Sequence, residues 1–326
     1  MMKHLRFVLL LFLLLLASCT SFKHPAGDIN HLVYIPQENG TVFSRFAPVY
    51  VIENPGKPYN RIGVPKIYAD KDGREIVIVD PATPAVYFEE RKFVTELESY
   101  TNLIYRIHFP ETPADFIPFQ LGAGKNVGLI VIVTLNQANH PVLLTTVQTC
   151  GCYLAFLPTS YLPEGNFPPD WPEKSQVIYG EKLPAYLDAA GFDPDSEKIM
   201  IVLRDGSHRV TDVSLTAQEA LNRLEARQAG LYPVSTLDKI PVEGGGSTSF
   251  FERAGKQKGY VRNNNKFRER MLMSWWTFDW RIGEDKKLGR NKQESPVFYT
   301  SLKPWAREDS DMRDFSAFLS YWGWNL

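Results

Sequence analysis

The chain has 326 residues, 44% hydrophobic and 22% charged, with 36 Lys and Arg against 37 Asp and Glu. A formal charge of −1 gives no electrostatic footprint for nucleic acid, and no nucleic-acid partner is expected. Three cysteines are too few for a disulfide-rich scaffold, while the length and apolar content suffice for a substantial core.

The first nineteen residues fall into three pieces. Lys3, His4 and Arg6 make a positive start, and Phe7 to Leu16 is an unbroken apolar run of ten residues. That is the length of a signal-peptide hydrophobic region and about half the roughly 20 residues of a membrane-spanning helix. Leu16-Ala17-Ser18-Cys19 follows. These four positions resemble the lipobox of bacterial lipoprotein signal peptides. The resemblance implies a signal peptide over residues 1–18, cleavage after Ser18, and acylation of Cys19 that holds the protein on a membrane of the cell envelope. Thr20, where Asp would mean inner-membrane retention, implies the outer membrane, facing the periplasm. Cleavage leaves 326 − 18 = 308 residues. Without Lys3 and Arg6 they carry 34 basic against 37 acidic groups. Residues 19–32 read as the lipidated cysteine and a polar tether with Pro25 and Gly27.

Residues 33–240 have the texture of a β-rich globular domain. Val49–Ile52, Glu75–Val79, Leu103–Phe109, Gly128–Leu135 and Val142–Thr149 are candidate strands between Pro- and Gly-rich punctuation. The turn-like 136–141 predicts that the last two form a hairpin, and the continuous apolar character of 128–135 predicts a strand covered on both faces. Residues 158–196 read as irregular, with a short helix over Leu183–Ala190. Lys198–Arg204 and His208–Leu215, joined through Asp205-Gly206, predict a second hairpin. Thr216 and Glu219 form a capping box for a helix over Thr216–Ala229, with Leu221 and Leu224 on one face and Gly230 as its C-cap. Gly244-Gly245-Gly246 reads as a joint before a helical, aromatic-rich C-terminal region over 247–326, with helices over Lys266–Trp280 and Asp311–Trp322. The class is α+β.

Cys150-Gly151-Cys152 is the sharpest local feature. In extended backbone the two thiols share a face, and a bridge across one residue closes a small, strained ring that is easily reduced. The pair therefore suits redox exchange, or a two-thiolate corner of a soft-metal site such as Cu(I) or Zn. It also suits a structural disulfide or two packed thiols. His108, His140 and His208 stand at no ligand spacing, so no cofactor is expected.

Gly122-Ala123-Gly124-Lys125-Asn126 is not a phosphate loop. Phe119 stands where the first glycine belongs, Asn126 replaces Ser or Thr, and a strand follows instead of a helix. No serine sits in a nucleophile elbow. Asp72, Glu89, Glu90, Asp279 and Glu284 could pair as glycosidase acids only by folding together. Between Arg253 and Arg270 a basic stretch is interleaved with Phe250, Phe251, Tyr260 and Phe267. It suits either lipid phosphate and anionic polymer or a solvated face.

Six of the seven tryptophans lie near the C-terminus, in Trp275-Trp276-Thr277-Phe278-Asp279-Trp280, Trp305, Trp322 and Trp324. Such clusters stack on sugars or anchor interfaces, so Trp275, Trp276, Trp280, Trp322 and Trp324 are candidate ligand-binding residues. Helical spacing favours core packing instead, with Met271, Trp275 and Phe278 on one buried face. No motif fixes a reaction. The chain reads as a membrane-anchored envelope lipoprotein with a binding or structural role, its partners being the membrane and an envelope protein or glycan. Redox or metal chemistry at the cysteines and carbohydrate handling are the alternatives.

Overall fold

A computed structural model describes residues 30–116, 119–221, 223–242 and 245–326. The leader, Cys19 and the tether up to residue 29 lie outside them. Residues 126–135 and 141–147 are buried without interruption, so these strands have no solvent face, and a sheet covered on both sides follows.

In chain order the strands are β1 (His31–Pro36), β2 (Val49–Glu53), β3 (Val64–Ala69), β4 (Glu75–Asp80) and β5 (Ala85–Val94). Next come β6 (Ser99–Thr112), β7 (Gly124–Leu135), β8 (Pro141–Gln148), β9 (Ala155–Pro158) and β10 (Ser175–Ile178). The series continues with β11 (Glu181–Pro184), β12 (Glu197–Leu203), β13 (Val210–Ala217) and β14 (Ala226–Pro233), and ends with the two-residue strands β15 (Ile240–Pro241) and β16 (Ser247–Thr248), which pair with each other. The helices are α1 (Val42–Phe46), α2 (Gln218–Leu221), α3 (Phe267–Thr277) and α4 (Phe315–Tyr321). The class is α+β. No helix among the described residues is long and apolar enough to cross a membrane.

One mixed sheet carries the order β13-β12-β2-β1-β14-β5-β6-β7-β8-β9. It curls around Tyr34, Tyr50, Tyr105, Phe109, Val131 and Ile201. The β10–β11 hairpin bridges its two edges. Gln176 donates to the Phe156 carbonyl beside β9 (2.6 Å), and Glu181 receives the Arg204 guanidinium fork from the β12 side (2.8 and 2.6 Å). The C-terminal region covers the outer face, where Phe298, Phe318 and Trp324 pack on Ile130, Ile132 and Leu143.

Strand direction decides what the sheet ends carry. β1 is parallel to β14, β14 to β5 and β2 to β12, and the other neighbours are antiparallel. The start of β1, the β6–β7 connection, the β8–β9 turn and the β12–β13 turn therefore lie at one end. The described chain also enters there, since the Asn54 amide at the end of β2 donates to the Asn30 carbonyl (2.8 Å).

Both expected hairpins are present, as β7–β8 and β12–β13. Two expected helices are not. The stretch 183–190 contributes the end of β11, and 216–229 holds only the single turn of α2 between β13 and β14. Leu221 is buried but Leu224 is exposed, so the supposed helix has no apolar stripe. Residues 226–233 gain more as a strand paired in parallel on both sides, to β1 and β5.

Phe318, fully buried on the outer face, reports whether the C-terminal region folds with the sheet. Phe318→Ala is expected to cost about 3–5 kcal/mol in urea unfolding. A loss below about 1 kcal/mol, or a separate first transition, would show that the region unfolds independently.

Candidate functional site

The thiol pair sits at the chain-entry end of the sheet, in the turn between β8 and β9. The turn is tight: the Gly151 amide donates to the Gln148 carbonyl (2.8 Å), and the Gln148 amide donates to the Cys152 carbonyl (2.9 Å). Gly151 has φ +95°, and a Cβ there would run into the Tyr299 carbonyl, so position and neighbour both require glycine. Cys150 is buried and Cys152 half-buried, both unpaired, and the Cys152 amide points at the Cys150 sulfur (3.4 Å). The hydrogen bond to Cys150, then burial, hold the Cys152 thiol well above its ordinary value.

Two buried lysines flank this turn. Lys266, just ahead of α3, pairs with Asp285 (3.2 Å), both almost fully enclosed. Its stem crosses Gly124, where a Cβ would lie 2.9 Å from the Lys266 Cδ. That contact accounts for the glycine-rich loop: it makes room for a lysine stem. Asp285 also accepts from Thr149, which precedes the cysteines, and from the Asn264 amide (2.9 Å). Desolvation opposes the Lys266 charge, but Asp285 foremost among its anionic neighbours holds its pKa above the ordinary lysine value.

Lys286 differs. Its backbone amide donates to the Thr149 carbonyl (2.9 Å), and its side chain has no exposed surface. The amine lies 3.9 Å from the centre of the Tyr299 ring and has no hydrogen-bond partner among the described residues. Burial pushes its pKa down, against the pull of Asp279, Cys150, Cys152 and Asp285. Glu269 completes the cluster from α3. One carboxyl oxygen is buried without a partner among the described residues, and burial raises its pKa against the pull of Lys266. No group of three or more His, Cys, Asp or Glu among the described residues is arranged to hold a metal ion.

α3 is inside out. Glu269, Ser274 and Thr277 face inward. At 100° per residue, Phe267, Met271, Trp275 and Phe278 form one stripe, as their spacing predicts, but it faces outward: Met271 is 62% exposed, Trp275 73% and Phe278 79%. Core packing, the expectation for that face, is therefore wrong. The buried charges on the sheet claim the polar side of the helix and leave the aromatic side in solvent. Phe278 even caps α3 in left-handed backbone (φ 53°), a conformation suited to glycine.

Trp280 and Trp305 are exposed, and Trp276 lies at the margin of exposure. Arg307, two residues beyond Trp305, donates to the Thr277 carbonyl, and Arg268 lies over the Phe116 and Phe119 rings (4.8 and 4.7 Å). Neither arginine has a carboxylate within ion-pair distance among the described residues. Seven large apolar side chains here, at roughly 150–250 Å² each when bare, expose on the order of 1,000 Å². The largest patch on an ordinary monomer is about 300–600 Å².

The other tryptophans go elsewhere. Trp324 is core, ringed by Phe156, Phe167 and Trp171, which takes it out of a ligand's reach, and Trp322 is partly buried against Phe156. The basic stretch is broken up: Arg262 pairs with Glu75 (2.8 Å), Arg270 with Glu284 (2.7 Å), and Lys266 is buried, as are Phe250, Phe251 and Tyr260. The five carboxylates do not gather as a set: Asp72 lies in the β3–β4 turn, Glu89 pairs with Arg91, and Asp279 accepts from Tyr299 (2.5 Å), while Asp279 and Glu284 both accept from Arg281 (2.8 Å each). Beside Trp280 a polar cleft of about 270 Å³ is lined by Glu252, Gln257, Asn263, Asn265 and Arg281. Sequence reasoning missed Lys266, Glu269, Asp285 and Lys286 as a group, because no spacing along the chain relates them to the cysteines.

Comparison with protein-family models, with curated proteins and with solved structures finds no match.

The raised pKa of Glu269 fixes the sign of a pH effect. The folded protein binds this proton more tightly than the unfolded chain does. The stabilisation is full below the unfolded value of about pH 4.3 and is lost as pH rises through the folded value. Glu269→Gln, which mimics the protonated form, should match wild type near about pH 4 and exceed it near about pH 8 in urea unfolding. A difference independent of pH would mean that folding leaves the pKa of Glu269 unchanged.

Proposed function

We propose that the chain is a lipid-anchored protein of the bacterial cell envelope that seats one end of its sheet on the membrane. Lipid on Cys19 is one hold and the exposed aromatic face of α3 is the second. The observation that carries this reading is coincidence of place. The chain enters at Asn30, bonded to Asn54, whose side chain bonds Asp205 in the β12–β13 turn (2.7 Å). Gly206 beside it faces Pro113 and Gln120, and the Gln120 carbonyl receives Arg268 of α3 (3.0 Å). Ten residues separate Cys19 from Asn30, a reach of at most about 35 Å. A tether that short keeps the aromatic face at high effective concentration beside the bilayer holding the lipid.

The chemistry of the face suits that occupant. Tryptophan and phenylalanine settle at the headgroup boundary, where rings are buried and indole N–H groups stay hydrated. Arg268 and Arg307, free of carboxylates, suit anionic lipid phosphate. A second reading, glycan binding, draws on the polar cleft beside Trp280, whose amides, carboxylates and indole match sugar hydroxyls and ring faces.

Every described element lies in residues 30–326, so the chain from Thr20 onward tests the second hold without the first. It is expected to float with vesicles of phosphatidylethanolamine and phosphatidylglycerol, with a blue shift in tryptophan emission. Trp275→Glu should weaken binding at least tenfold, about 1.4 kcal/mol. No association of the unaltered chain would remove the membrane as occupant, and binding to envelope glycan instead would favour the cleft. Cys19→Ser in the precursor should abolish incorporation of labelled fatty acid; continued labelling would place the lipid elsewhere.

Phe278→Gly separates docking from folding. Left-handed backbone costs a non-glycine residue roughly 1–2 kcal/mol, so the variant should be as stable as wild type or more so, yet bind vesicles more weakly. Equal binding would exclude Phe278 from the contact.

A further inference from the structure

We propose that Cys150 and Cys152 form an exchanging dithiol–disulfide pair that reacts with disulfides of small molecules or other proteins, with Lys286 as the base that takes the thiol proton. This assignment is independent of membrane docking, and three observations carry it. The turn holds the two sulfurs together, with the Cys152 amide directed at the Cys150 sulfur (3.4 Å) and Gly151 fitted to the Tyr299 carbonyl. The pair is graded in access, Cys150 enclosed and Cys152 half-buried, so an incoming disulfide meets Cys152. A fully buried amine with no hydrogen-bond partner among the described residues stands against the same turn, its backbone bonded to Thr149 and its head over the Tyr299 ring.

A buried amine without a partner is costly as structure alone, because methionine would fill the same volume without desolvating a polar group. As chemistry it has a use. Burial lowers the proton affinity of Lys286, and its amine, set against the turn, is the group proposed to receive the thiol proton. Lys266, kept charged by Asp285, adds positive potential that favours the thiolate. Ion pairing with Asp285 already explains Lys266, whereas the Lys286 amine has only the faces of the Tyr299 and Phe298 rings (3.9 and 5.7 Å) to meet it.

The exchange balances as follows. Lys286 takes the Cys152 proton, and the Cys152 thiolate attacks one sulfur of the disulfide R–S–S–R. A mixed disulfide forms and RS⁻ leaves, taking the proton from Lys286. Cys150 then loses its proton by the same route, attacks the Cys152 sulfur and expels the second RS⁻, which leaves as RSH. The pair is oxidised by two electrons, R–S–S–R is reduced to two RSH, and Lys286 ends uncharged. The dithiol is favoured by the lysines and the disulfide burdened by its small ring, so the pair is poised as an oxidant when oxidised.

The test uses the full chain in detergent, with oxidised glutathione as the probe and mass analysis of the peptide holding both cysteines after acid trapping. The expected product is an internal disulfide, lighter by two hydrogens, formed through a transient glutathione adduct. Persistence of the adduct, or no reaction at any ratio of oxidised to reduced glutathione, overturns the proposal. Lys286→Met should keep the fold, since it removes an unpartnered amine, and an unfolding midpoint at or above wild type checks this. In that variant the rate of adduct formation near about pH 6.5 should fall at least tenfold, with the gap to wild type narrowing at alkaline pH as hydroxide takes over removal of the thiol proton. Superimposable pH profiles of a folded Lys286→Met and wild type would overturn the role of Lys286.

Discussion

The buried pair of Lys266 and Asp285 is the contact on which the chain-entry end of the molecule depends. Asp285 ties two segments together: the stretch ahead of α3, through Asn264 and Lys266, and Thr149 ahead of the cysteines. The Asn264 amide in turn reaches the Lys125 carbonyl in β7 (2.5 Å). Two charges at this depth favour the fold only when their remaining hydrogen-bonding capacity is met, and the Asp285 carboxylate takes the Thr149 hydroxyl and the Asn264 side-chain amide as well as Lys266. The arrangement also requires bare backbone where the lysine stem crosses, which Gly124 supplies.

From that pair follows the orientation of α3. A helix packed on an apolar sheet presents its apolar stripe inward. This one packs on lysine, aspartate and thiols, so the inward side carries Glu269, Ser274 and Thr277, and the apolar stripe is left outside. Exposing that much aromatic surface forgoes on the order of 25 kcal/mol of burial, at roughly 25 cal/mol per Å² over about 1,000 Å². A left-handed phenylalanine at the helix end adds to the cost. A surface of this kind is stable in solution but poorly satisfied, and it becomes favourable when a second apolar phase covers it.

This division explains what was legible in the sequence. The α+β class, the β7–β8 and β12–β13 hairpins and α3 itself rest on local patterns: apolar runs, turn dipeptides and a 3.6-residue period. That Met271, Trp275 and Phe278 share a face was equally legible, because periodicity measures angle around the helix axis. Which way the face points was not, because it depends on what the helix packs against. The answer lies in Asp285 and Lys286, brought under α3 by the chain's return to the turn before Cys150. The misread helix over 216–229 has the same origin. A capping box is a local preference worth about 1 kcal/mol, and two flanking parallel strands outweigh it.

The cysteine motif shows how far a local signal carries. Spacing places two thiols on one turn and glycine between them, and a structural disulfide, packed thiols or a reactive pair all meet that description. The environment bears on these readings, and it is polar: Lys266 and Lys286 are both close enough to feel the charge of the enclosed sulfur. Packed thiols act as small apolar groups and belong in apolar surroundings. A bridge kept only for stability has no use for a desolvated amine beside it, whereas a pair that opens and closes needs somewhere for the proton to go.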